Sequence, residues 1–224
     1  PLAAIRDVLR LAPDEAARHH RVQLRGTVTF VQITSLDFFI QSGEHAIWVS
    51  NFGGAHPSRG DVVEVRGVTN AGVFAPDILP DADGVTVVGH DALPLPAAPE
   101  ELAFANGEHD CRFIAMSGVV RLVVDDLPQV KLTLATAFGR VDVLVPHDSA
   151  GEFNDRLIGA RVSVRGVCAM RLNERGQMIG MRLFAQESAD LQVIAPARDV
   201  AALPSVSPAR LLTYRAAADP SGRT

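Results

Sequence analysis

The chain's 224 residues are 47% hydrophobic and 21% charged, an ordinary globular balance with room for one large domain or two of about 100 residues each. The net charge is −5 and the basic residues are scattered arginines with Lys131 as the only lysine, so the concentrated positive face of a general phosphate-backbone binder is missing. No run of about 18 uncharged apolar residues occurs, which excludes a membrane-crossing helix.

The opening PLAAIRDVLR sets Ile5, Val8 and Leu9 at helical spacing and predicts a short lead-in helix, followed by a polar loop. VQLRGTVTFV, from Val22 to Val31, then predicts a strand punctuated by Gly26. DFFIQ turns through SGEHA into IWV (Ile47 to Val49), alternating apolar residues around a glycine-bearing turn, which is a hairpin signal. In GDVVEVRGV, Gly60 to Val68, the residues Val63, Val65 and Gly67 alternate with Glu64, Arg66 and Val68, as in a strand with one buried face. A glycine inside such a strand marks a bulge, a bend or a close approach of two backbones. After a polar loop, GVTVVG (Gly84 to Gly89) predicts the last strand of the unit.

The Pro-rich ALPLPAAPEEL, Ala92 to Leu102, reads as a joint leading into a second short helix, with Pro99 near its start. The order then repeats: FIAMSGVVRLV with Gly118, a longer loop after Val120, and VKLTL turning through ATAFGR into VDVLV (Val141 to Val145). GARVSVRGV (Gly159 to Val167) and DLQVIA (Asp190 to Ala195) complete the second copy. Five strands per unit predict a small barrel, so the expected fold is mainly β, with two tandem five-stranded barrels each preceded by a short helix. ALPSVSPARLL, Ala202 to Leu212, repeats the joint, with Pro208 near its helix start. Val22 lies thirteen residues after Leu9, and thirteen residues after Leu212 is one past Thr224. The expected division is residues 1–96 and 97–204 as two helix-plus-barrel units, with 205–224 as the truncated lead-in helix of a third unit or a linker. A chain that starts at Pro1 without a leader is expected to be an excerpt of a longer protein.

The V-x-L-R-G-x-V first strand, the F-F-I-Q-S-G turn, the I-W-V third strand and the G-D-V-V-E-V-R-G-V fourth strand together resemble an OB-fold, a five-stranded Greek-key barrel. With the lead-in helices, the doubling and the segment from Arg165 to Phe184, the layout resembles the extracytoplasmic sensor regions of bacterial membrane-bound histidine kinases and diguanylate cyclases. That resemblance implies a non-catalytic sensory segment outside the cytoplasmic membrane. It would bind a small molecule, a glycan or an envelope protein, in a parent protein anchored in the membrane and taking part in signal transduction. Kinase and cyclase output motifs are absent from these residues, as are G-x-S-x-G, a phosphate-binding glycine loop and HExxH, so no enzyme activity and no cofactor are expected. The alternative is a cytoplasmic OB tandem binding single-stranded nucleic acid or oligosaccharide, with nucleic acid disfavoured by the acidic balance.

Alternation sorts the first hairpin into an inner face of Phe38, Ile40, Ile47 and Val49 and an outer face of Phe39, Gln41 and Trp48. That outer aromatic face is where OB-folds commonly hold a ligand; the competing reading packs Phe39 and Trp48 against the lead-in helix or the second barrel. Arg25, Arg66 and Arg165, beside strand glycines, are the candidate anion contacts, against a role in covering barrel surface or pairing with a carboxylate. The seven histidines show no ligand spacing, so no metal is expected. Cys111 and Cys168 form no CxxC, leaving two buried free thiols or a single bridge.

Overall fold

The computed structural model describes residues 1–32, 34–50, 55–99, 106–147 and 157–198. The second lead-in helix expected near Pro99 and the third near Pro208 fall largely or wholly outside them. The first unit contains α1 (Ile5–Leu9), α2 (Pro13–Ala16), β1 (Arg21–Val31), β2 (Phe38–Ser42), β3 (His45–Val49), β4 (Asp61–Asn70) and β5 (Asp77–His90). Its strands close into a barrel in the order β1-β2-β3-β5-β4, with the parallel pairing of Val49 and Ile78 as the closing seam. This is the Greek-key order of an OB-like barrel. Val22, Leu24 and Val28 of β1 meet Phe38, Ile40, Ile47, Val49, Val63, Val65 and Ile78 inside, and Ile5 and Val8 of α1 join this core. The lead-in helix therefore belongs to the barrel's hydrophobic interior rather than to a linker. The α2 turn is tied down through Thr69, whose buried hydroxyl donates to the Ala16 carbonyl at 2.7 Å and accepts the His20 N–H at 3.0 Å.

The second unit holds β6 (Phe113–Asp126), β7 (Gln129–Thr136), β8 (Gly139–Pro146), β9 (Arg161–Leu172), β10 (Met178–Phe184) and β11 (Leu191–Ala195). It has six strands where five were expected. The sixth arises because the barrel's last strand is cut in two. β10 pairs in parallel with β8 and antiparallel with the C-terminal half of β9, while β11 pairs with the N-terminal half of β9. In the first unit the single strand β5 makes both sets of pairings, shifting register against β4 between Val65 and Gly67. Two boundaries also differ from expectation. β5 starts at Asp77, not Gly84, because Leu79 and Pro80 pair with Val68 and Gly67 despite the polar, proline-bearing sequence. The loop expected after Val120 is instead a long β6–β7 ladder turning at Leu127 and Pro128.

The repeat is written into the backbone as well as the sequence. Gly60 and Gly159, which open the two related stretches, both have φ of +90°, a conformation costly for residues with a Cβ. Their N–H groups donate to Val28 and Val120, which hold matching places on β1 and β6. The lead-in segments match too: Leu2 bridges in parallel to Val22 and Ala97 to Ile114. The two barrels meet through an apolar layer of Phe30, Phe39, Ala46, Cys111, Phe113, Val167 and Phe184. The Phe30 ring lies 5.3 Å from that of Phe184 across this junction.

Candidate functional site

The junction leaves a cavity of about 350 Å³ between the barrels. Phe39 and Trp48 supply one wall. They face each other across the β2–β3 hairpin in register, so both side chains leave the same outer face, and their rings meet edge-on at 4.8 Å. Residues 71–76, between β4 and β5, overhang them. Gly72 takes φ +66° to make this turn, which presents Val73 and Phe74 outward at 88% and 39% exposure. The Phe74 ring lies against Gly107 of the other unit, where an added Cβ would come within 2.9 Å of Cε1. Cys111, Ala169, Met170 and Leu172 of the second unit form the opposite wall. The lining is thus drawn from both barrels.

Two carboxyl groups interrupt this apolar lining, Asp77 from the start of β5 and Asp110 from the turn before β6. Asp77 accepts a hydrogen bond from the Asn70 amide at 2.9 Å. Asp110 accepts the Met170 N–H at 2.9 Å and the Cys111 thiol at 3.4 Å. Burial pushes both carboxyls above the ordinary carboxylate range, since it penalises the charged form more than these hydrogen bonds favour it. Among the described residues neither carboxylate makes an ion pair.

The residues expected from the sequence to bind a ligand are separated. Phe39 and Trp48 come together as predicted by register, yet they are not an open platform: the second barrel covers Phe39 to 1% exposure and leaves Trp48 half-buried. Gln41, on the same face, is 5% exposed and acts as a clasp, its Oε1 accepting the Phe113 N–H at 2.9 Å and its Nε2 donating to the Gly43 carbonyl. Arg25 is exposed beside shallow hollows lined by Arg6, Ser42 and His45, away from the cavity. Arg66 is exposed near Asp81, a carboxylate already held by Arg21 in a bidentate pair. Val73, Phe74, Asp77, Asp110 and Met170 were missed. Only the adjacent apolar pair Val73–Phe74 inside a glycine-bearing turn offered a sequence signal.

Among the described residues no group of three or more His, Cys, Asp and Glu lies close enough to hold a metal ion. Cys111 and Cys168 are free and buried, and burial together with the nearby Asp110 pushes both thiols up. Neither thiol is expected to react with Ellman's reagent at pH 8 until the protein is unfolded, because the thiolate is the reactive form. Rapid labelling of the folded protein would contradict this packing.

No protein-family model matches the chain, and no curated protein matches it. Similar solved structures include the p204 HINb domain, 13% identical, with a TM-score of 0.37 over 79% of this chain and 98% of that one. Fission yeast Pot1 with single-stranded DNA is 8% identical, with a TM-score of 0.34 over 85% and 93%. The hypothetical protein ygiW from E. coli is 16% identical, with a TM-score of 0.31 over 39% and 90%. None of the three is named as a kinase or cyclase sensor region. Likeness at this level carries no argument about function, which rests on the chain's own residues.

Proposed function

We propose that this chain is a binding module without chemistry of its own, which takes a compact, largely apolar molecule into the cavity between its two barrels. The observation that carries this reading is the cavity's shared construction: Trp48 and Phe39 on one barrel, Met170 and Cys111 on the other, and Phe74 laid across. A volume of about 350 Å³ lies within the range of small-molecule sites, and apolar walls with a few polar groups are their usual composition. A ligand held by both units would fix one barrel against the other, which is the physical requirement for a sensory segment. Placement outside the cytoplasmic membrane, in a signalling protein, is part of this proposal and rests on the sequence resemblance. A membrane span and a kinase or cyclase module in the same reading frame would support it.

Single-stranded nucleic acid is the second reading, with the Phe39 and Trp48 rings on the outer face of the β2–β3 hairpin as the stacking surface. The buried Phe39, the two carboxyls in the cavity and the single lysine speak against it, because such grooves combine exposed aromatic rings with positive charge. One titration separates the readings, since Trp48 is the only tryptophan and sits in the cavity wall. Benzyl alcohol is expected to change its emission saturably, and Phe74→Ala to weaken that binding roughly threefold to tenfold, the scale of one aromatic contact. Oligothymidine at low salt is expected to have no effect. Saturation by the oligonucleotide alone would reverse the assignment.

A further inference from the structure

Resting on the cavity reading above, we propose that the ligand is a cation, an organic amine or quaternary ammonium carrying an apolar group, held between the aromatic wall and the carboxylates of Asp77 and Asp110. The two carboxylates enter from different barrels, so a cation between them would tie both units together electrostatically. Each already has hydrogen bonds to neutral donors, yet among the described residues neither has a basic side chain as a partner. Two other sheltered carboxylates of the chain do have basic partners. Asp190 has Arg59 and Arg165, and Asp142 has Arg171. A charge removed from water without a counter-charge is unfavourable, and a carboxylate oxygen has lone pairs to spare after one hydrogen bond. Among the described residues the cavity's lining therefore holds no positive charge while offering acceptors for it.

The aromatic wall has the matching chemistry. An indole face is the best side-chain surface for a cation, through the negative face of its ring quadrupole, and Trp48 lines this cavity with Phe39 and Phe74. Two carboxylates with apolar neighbours are too few oxygens for calcium or magnesium, which need about six or more. An anionic ligand would meet both carboxylates with no compensating basic group among the described lining residues. Burial raises the proton affinity of Asp77 and Asp110, and a bound ammonium group would oppose that by favouring their charged forms.

Three probes of similar size test the assignment: benzyltrimethylammonium, benzyl alcohol and phenylacetate, each titrated against Trp48 emission. The cation is expected to bind roughly tenfold tighter than the alcohol, with phenylacetate weakest, the scale of a desolvated cation–aromatic contact. Asp77→Asn and Asp110→Asn should each remove most of that preference, bringing cation and alcohol affinities to within about threefold of each other. Saturable alcohol binding retained in a variant shows that its cavity is intact. Asp77→Asn is the safer of the two, because Asp77 anchors only the Asn70 side chain. If alcohol and cation bind equally, the cavity stands and the cation assignment is overturned. If the cation preference survives both substitutions, it is overturned as well. If none of the three probes binds, the cavity reading fails first and the cation assignment with it.

Discussion

Gly67→Ala and Gly166→Ala are each expected to destabilise the protein by about 3 kcal/mol, near the top of the range for one added methyl group in a packed site. Both glycines occupy the same place in the repeated V-R-G-V strand, and both lie where the barrel's last strand crosses the fourth. A Cβ on Gly67 would fall onto the Leu79 carbonyl oxygen and within 2.7 Å of the Pro80 Cα. One on Gly166 would fall onto the Phe184 carbonyl oxygen and within 2.9 Å of its carbonyl carbon. The obstacles are backbone atoms of a paired strand, so no side chain can swing aside to make room. Relief requires separating β5 from β4, or β10 from β9, and with them the closure of the barrel. Gly89→Ala is the matched control, since its Cβ would meet nothing within 4 Å and its φ is not positive; it should stay within about 0.5 kcal/mol of the parent. Urea-denaturation midpoints of the three variants decide the matter. A Gly67 variant as stable as the Gly89 variant would show that the strands do not approach as described.

The same two glycines explain why the architecture was legible and part of it was not. Period-two alternation and a glycine at a fixed offset are local properties, and they located β1, β4, β6 and β9 without any knowledge of their partners. The first half of β5 was lost because Pro80, Asp81, Asp83 and Gly84 give it the composition of a loop. Its strand geometry is imposed from outside, by pairing with Val68 and Gly67 and by the parallel seam at Val49. β10 was lost for a similar reason. Gly180, with φ +141°, interrupts its alternation, and its pairing with β8 joins residues about forty apart in the chain. The site divides along the same line. Register placed Phe39, Gln41 and Trp48 on one face, which is what the hairpin shows. What covers that face is the apolar layer of Phe113, Val167 and Phe184, and no local pattern says that two barrels will dock there. Asp110 and Asp77 are 33 positions apart and become neighbours of one cavity only through that docking.

Besides the Gln41–Phe113 and Gln186–Val31 hydrogen bonds, the docking has a charged clasp at Asp190, and removing it is expected to have a large effect on the coupling of the barrels. The Asp190 side chain is fully buried and accepts five hydrogen bonds. Arg59 of the first barrel donates two of them, at 2.8 and 3.0 Å, Arg165 donates one at 2.7 Å, and the backbone N–H groups of Gln186 and Glu187 supply the rest. Asp190→Ala leaves the Arg59 guanidinium, 9% exposed and stacked 5.5 Å over the Phe113 ring, without its buried counter-charge. Breaking one side of a buried pair costs about 3–5 kcal/mol, and the low end applies here because the exposed Glu187 carboxylate, 3.5 Å from Arg59, can take over part of the charge. Arg165→Ala should cost under about 1 kcal/mol, since that side chain is 46% exposed and its departure leaves Asp190 still paired with Arg59. The distinguishing measurement is the shape of the urea transition followed by Trp48 emission and by far-ultraviolet circular dichroism. The parent and Arg165→Ala should give coincident curves at both probes. Asp190→Ala should give curves that separate, as Trp48 reports the junction opening before the barrels melt. Coincident curves with an unchanged midpoint in Asp190→Ala would mean that the apolar layer alone holds the barrels together, and that the Arg59–Asp190 clasp contributes nothing to their docking.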